Sequence, residues 1–391
     1  MFGQLPKLLD RNFVIGYFLP TAALVAIIYG LLTGLGFPAS WFASLSTNNP
    51  LVGTTLIAVG AWLIAIVLLA ANRSIYRLME GYGGILNPVS WLGFVQKRRY
   101  KQLLTRIANL DKQFLGVRNF WKEQADLAGS SQARVMSGIR QQRAKLLRRK
   151  AEEFPGEESR ILPTRFGNII RAFEDYSRLV YGFEDIQGWD RLLTVIPTDF
   201  RNLIDNVKAQ TDFWVNLWFV SCVTLVVYVG GVVWILTLGT SIYDKRYDGH
   251  WQSLLWSSTL WYLAGAIVLG LFASWGAKRT AVEWGNVVKA AYDTFLPELA
   301  QKLGFRPDVV HKKDPWVSFS RLIIYHDLAD REHLIQHYLS APGQDPADTE
   351  VQKQCTHEHE ELLKAQVEAR HLRAELDAKQ NKSLWKKLLG R

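Results

Sequence analysis

Between Ile161 and Tyr176 the chain reads ILPTRFGNIIRAFEDY, and Arg165, Asn168, Arg171 and Asp175 in this stretch are the side chains best placed to do chemistry. Guanidinium groups grip carboxylates and phosphates through paired hydrogen bonds. Such a set suits an acidic partner or an anionic ligand better than it suits bond-making. Thr164, after Pro163, is an N-cap for a helix whose Phe166, Ile169, Ile170, Phe173 and Val180 fall on one stripe at helical spacing. The spacing predicts one buried face, with Arg165, Asn168, Arg171 and Asp175 on the other side. Glu174 and Arg178 stand four apart there as a favourable pair.

A second concentration of charge lies just upstream. From Lys97 to Lys150 there are fifteen Lys or Arg against three acids, an excess larger than the formal net charge of +10 for all 391 residues. Lys97, Arg98, Arg99 and Lys101 open this run, and Arg148, Arg149 and Lys150 close it. Two helical stretches are expected, with LAGSSQARVMSG (127–138) as a break between them. Next to a bilayer each basic residue near the surface is attracted to anionic headgroups by about 1 kcal/mol. The same charge also fits a nucleotide or a nucleic acid. Charge alone does not separate these partners.

Catalytic patterns are missing. There is no Gly-rich phosphate loop with Lys and Ser or Thr, no G-x-S-x-G, no HExxH and no paired CxxC. His333 and His337, and Cys355 with His357 and His359, have metal-like spacing without completing a ligand set. We therefore expect no enzyme, no cofactor and no metal site.

The elements that position these residues are set by the bilayer. Phe13 to Phe37, Leu51 to Ala71, Phe213 to Thr240 and Trp251 to Ala277 contain no Asp, Glu, Lys or Arg. Each is long enough for the ~20 residues that cross hydrocarbon. Tyr17, Trp214, Trp218 and Trp275 stand near the ends of these blocks, where amphipathic rings favour the headgroup layer. The expected fold is an all-α integral membrane protein of two transmembrane hairpins, with four spans, a mainly helical cytoplasmic body and a C-terminal amphipathic helix. Lys7, Arg11, Arg73, Arg77, Lys278 and Arg279 flank one side of the spans, which puts both termini and the large loop in the cytoplasm. The expected divisions are residues 1–71 (hairpin 1), 72–212 (basic helical domain), 213–277 (hairpin 2), 278–344 (helical region) and 345–391 (charged helix). Cys222 lies in a span and Cys355 in the cytoplasmic tail, so no disulfide framework is expected.

Within the spans, Gly30 and Gly34 form a small-xxx-small pair that permits close helix packing, inside one chain or in a homo-oligomer. Leu384, Trp385, Leu388 and Leu389 alternate with basic residues in KSLWKKLLGR, which suits an anchor on the membrane surface or a partner-binding helix.

The stretch LPTRFGNIIRAFEDY, followed by YGFEDIQGWDRLLTVIP, resembles a segment of a broad group of uncharacterised bacterial membrane proteins. Its form is P-T-R-x-G-N-x-x-R-A-x-E-D, then Y-G-x-D, then W-x-R-L and a Pro. Pro163, Thr164, Arg165, Gly167, Asn168, Arg171, Ala172, Glu174, Asp175, Tyr181, Gly182, Trp189, Arg191, Leu192 and Pro197 match it, and Glu184 stands where the group has Asp. Ala290, Ala291, Tyr292 and Asp293 resemble a second stretch of the same group. The resemblance implies this fold and a bacterial origin and carries no activity with it; with the spans, the inner membrane is the expected location. Arg165, Arg171, Asp175 and Asp293 are expected to meet in one polar collar beneath the spans. Two roles follow: a scaffold or regulatory protein that holds a partner through this body, or an oligomeric channel or membrane-disrupting effector of the defence type, gated by a nucleotide or nucleic acid.

Overall fold

The computed structural model describes residues 10–35, 50–82, 92–123, 130–183, 186–234, 236–237, 251–306, 312–326 and 328–339. These residues are almost wholly helical, and their one strand-like contact is an isolated antiparallel bridge between Phe305 and Leu339. In chain order the helices are α1 (11–34), α2 (Pro50–Glu80), α3 (Leu92–Glu123), α4 (Ser130–Glu153), α5 (Arg165–Tyr181), α6 (Ile186–Leu192), α7 (Thr198–Trp234), α8 (Trp251–Lys302), α9 (Lys313–Tyr325) and α10 (Leu328–His337).

Four of these helices, α1, α2, α7 and α8, are long and apolar enough to cross a membrane. Their outward faces are apolar: Val67, Val226, Trp261 and Leu271 are all strongly exposed, as suits side chains whose solvent is lipid. α7 packs along α8, and α1 lies against α7. α1 is not uniform, because Val14–Phe18 forms a π-helical stretch before the α-helix resumes at Leu19.

Three of the spans do not stop where their charge-free segments stop. α2 has 31 residues, α7 has 37 and α8 has 52. At ~1.5 Å per residue α8 is about 78 Å long, against ~30 Å of hydrocarbon. The expected divisions at 71/72, 212/213 and 277/278 therefore fall inside continuous helices. The reason is local. Segments such as NRSIYRLME and KRTAVEWGNVVKAAYDTF contain good helix formers and no proline, so polarity changes while the backbone does not. Pro297 lies late in α8, where it cannot donate to the Asp293 carbonyl, yet the helix continues to Lys302.

The expected break at 127–138 is helical from Ser130 onward. α4 starts at Ser130 and carries Gly138 in its interior. Arg143 pairs with Asp111, Arg140 lies over the Phe114 ring at 5.1 Å, and Phe154 meets Tyr100 at 5.4 Å. All three pairs keep one antiparallel register, so contacts with α3 hold α4 through a weak helix former.

The core runs from the bundle into the body. α5 lies between α8, α2 and the end of α4, while Phe183, Trp316 and Phe305 join α9 to it through edge-to-face rings at 5.0–5.1 Å. The contact between α5 and α2 leaves no room at Gly167, where an added Cβ would sit 2.6 Å from the Glu80 carbonyl oxygen and 3.0 Å from its Cα. Backbone cannot swing aside. Gly167→Ala is expected to cost about 1–3 kcal/mol in thermal unfolding of the solubilised protein, as overpacking does. Gly116→Ala, in open space on α3, should be neutral or stabilise by up to ~1 kcal/mol. Equal stability of the two variants would contradict this packing.

Candidate functional site

α5 begins as its sequence indicates. Thr164 caps it by accepting from the Gly167 amide at 2.9 Å, and its hydroxyl donates to the Glu80 carbonyl at 3.0 Å, so one side chain starts α5 and ties it to the end of α2. The helix ends at Gly182, whose φ of 77° is left-handed; its amide donates to Arg178 and the next amide, of Phe183, to Ser177. Phe166, Ile169, Ile170 and Phe173 are buried as expected, but Val180 is exposed.

The polar side of α5 differs more. Asn168 is fully buried: its Nδ2 donates to the Leu162 and Thr164 carbonyls, both at 2.9 Å, and its Oδ1 accepts from the Leu162 amide at 2.7 Å. It is a brace for the chain entering α5, not an exposed contact. Asp175 is only 1 % exposed, with Arg160 at 2.8 Å and Arg178 at 3.8 Å. Burial pushes its carboxyl up from the usual range, and Arg160, Arg178 and Arg171 pull it back. Both residues are buried because α5 is covered on two sides, which the periodicity of one helix cannot reveal.

No single polar collar forms. No ion pair or hydrogen bond joins any two of Arg165, Arg171, Asp175 and Asp293. Arg165 pairs with Glu153, Arg171 with Glu174 at 3.4 Å and with the Tyr82 hydroxyl, and Arg178 with Glu157 at 3.0 Å. Asp293 of α8 accepts from the Tyr176 and Tyr181 hydroxyls, each at 2.7 Å. Burial, then the bond to Asp293, holds Tyr181 up at about 12 and raises Tyr176 further, so both phenols stay neutral donors. Asp293 therefore fastens α5 to α8 and is not a partner of the arginines.

A buried polar centre that joins three helices is one that sequence reasoning passed over. Asp212 of α7 is buried and accepts from Tyr76 Oη at 2.7 Å, Tyr17 Oη at 3.0 Å, Asn72 Nδ2 at 3.3 Å and Lys208 Nζ at 2.8 Å. It joins α1, α2 and α7 at one end of the bundle. Four residues on, the Asn216 amide donates to the Gly16 carbonyl at 2.7 Å, inside the π-helical stretch of α1. Asp212 lies one residue outside the charge-free block that begins at Phe213, and Tyr17, expected at the headgroups, is turned inward to meet it.

The basic run forms the antiparallel arm α3–α4. A buried cluster of Tyr100, Leu103, Ile107, Phe154 and Ile161 holds its base. Lys101 pairs with Glu158 at 3.0 Å, Arg148 with Glu152 at 2.7 Å, and Lys150 lies 6.0 Å over the Tyr100 ring. Lys97 and Arg98 are exposed beside Phe94, itself 71 % exposed. In the membrane, a Cβ on Gly30 would fall 2.5 Å from the Tyr262 hydroxyl, so Gly30 packs against α8 of the same chain. Gly34 ends α1. Leu384, Trp385, Leu388, Leu389 and the Cys355 to His359 group lie outside the described residues. No protein-family model, curated protein or solved structure matches the chain.

The Asp212 centre makes a graded prediction. Tyr76→Phe removes a hydrogen bond to a buried carboxylate and is expected to cost about 1.5–3 kcal/mol. Lys208 is 39 % exposed, so Lys208→Gln should cost clearly less. Thermal unfolding of the detergent-solubilised variants measures both, and a Lys208 variant as damaged as the Tyr76 one would be inconsistent with the proposed hierarchy.

Proposed function

We infer that this chain is a multi-pass protein of a bacterial inner membrane, with both termini and its helical body in the cytoplasm. It acts without catalysis, as a scaffold or regulatory protein that holds a partner through that body. The resemblance in the α5 segment supports the origin, and the basic residues flanking one side of the spans support the orientation.

The observation that carries the scaffold reading is the α3–α4 arm. Past Ile107 no described residue of α3 is buried, and neither is any described residue of α4. Lys112, Arg118, Arg134 and Lys145 carry no ion pair among the described residues. An arm that, among the described residues, is buried only at its base, with these four cations beyond it, presents a surface for an acidic protein while the bundle fixes it to the membrane. At the base, Phe94, Lys97 and Arg98 suit anionic headgroups.

A second reading is a channel gated by a nucleotide or nucleic acid. Its support is the continuity of α7 and α8, which connects any displacement in the body to the spans without a joint. Ligand-dependent conductance of the purified protein in planar bilayers, with none in its absence, would favour that role.

For the scaffold, the triple variant Lys112→Glu, Arg118→Glu, Arg134→Glu tests the arm. Photo-cross-linking from position 115 in intact membranes is expected to give a defined adduct that the variant loses, with unfolding temperature unchanged. An undiminished adduct, or none in the unaltered protein, counts against the arm as the partner surface.

A further inference from the structure

Where the arm meets the body there is a cavity of about 210 Å³. Arg99 and Arg106 enter it from α3, Arg149 from α4 and Arg165 from the first turn of α5. Arg99 and Arg106 are two helical turns apart on one face. Lys278, the first residue after the charge-free part of α8, lies within Coulomb reach of Arg99, Arg165 and Glu153. Three helices and a span thus bring five cations together.

One carboxylate answers them. Glu153 is 3.2 Å from Arg149 and also contacts Arg165, while Arg99 and Arg106 carry no ion pair among the described residues. Two further polar atoms have no hydrogen-bond partner among the described residues. Arg165 Nε is buried without a hydrogen-bond partner, and so is Oε1 of Gln96, a cavity residue only 7 % exposed. Turned about its last torsion, the Gln96 amide presents its NH₂ instead; the two ends of an amide are alike in shape.

We propose that this cavity binds a terminal phosphate group, one joined to its carrier through a single oxygen. Arginine forks fit phosphate oxygens in pairs, and the uncompensated charge calls for more than one negative charge. Size narrows the ligand further. The cavity is smaller than the ~300–1,000 Å³ that encloses a drug-sized molecule, so it takes the phosphate and leaves the carrier outside. The carrier is a lipid or a soluble molecule. Lys278 and Arg279, the latter 5.9 Å over the Trp275 ring, place the site beside the membrane boundary, where a phosphomonoester headgroup reaches it. This site is distinct from the partner surface of the arm, which is read at Lys112, Arg118, Arg134 and Lys145.

The test is thermal unfolding of the full-length solubilised protein at fixed ionic strength. It is titrated with dioctanoyl phosphatidic acid, with inorganic pyrophosphate and, as a phosphodiester control, with dioctanoyl phosphatidylglycerol. A saturable rise in unfolding temperature is expected with phosphatidic acid or pyrophosphate and not with the control. A response to the lipid alone assigns the headgroup, and one to pyrophosphate alone assigns a soluble ligand. Arg106→Gln and Arg99→Gln, which break no ion pair, should each weaken the response about tenfold or more, as loss of a charge-assisted bond does. The proposal is overturned by no saturable response to either probe, by an equal response to the control, or by variants that respond as the unaltered protein does.

Discussion

A buried carboxylate at the edge of hydrocarbon must be fully satisfied, and Asp212 meets that demand by drawing three helices together. Its donors come from α1, α2 and its own helix. Removing one buried donor leaves a carboxylate oxygen without its hydrogen bond, and that lost bond costs more than an average one contributes. The arrangement therefore sets which helix ends lie side by side. Without it, the apolar outer faces of the spans carry little information about register, since one lipid-facing contact is much like another.

The body hangs from this node. α2 leaves it and ends at Glu80, where Thr164 takes the Glu80 carbonyl and starts α5. α5 then lies on α8, fastened by the two tyrosines on Asp293 and by Phe173 against Trp284, with ring centroids 5.0 Å apart. Gly182 turns the chain out of α5 and lets Phe183 enter the aromatic cluster with Trp316 and Tyr292. Bundle and body are thus one packed unit, and the arm is the part that leaves it.

Much of this was legible in the residues. Charge-free blocks gave the four spans, because ionised groups are excluded from hydrocarbon; the Thr164 cap and most of the α5 stripe followed from helical spacing. What escaped was anything set by two-sided packing. Asn168 and Asp175 looked solvent-facing because a single helix has one obvious apolar stripe, and neither the cover from α2 nor that from the α4 end is visible in that stripe. Asp212 escaped because a charge next to a span reads as the signal that the span is over. The basic charge of α3 and α4 was plain, while the meeting of Arg99, Arg149 and Arg165 around one carboxylate depends on the fold.

The unbroken passage of α7 and α8 from membrane into body has a consequence for how such a chain can change over generations. A loop absorbs an added or lost residue by bulging. A continuous helix passes it on, turning everything beyond by about 100° and shifting it by ~1.5 Å. One residue inserted between Ala277 and Lys278 would swing Asp293 away from its tyrosines while leaving the hydrophobic span intact. The spacing between the bilayer and the body is therefore counted in single residues along these two helices.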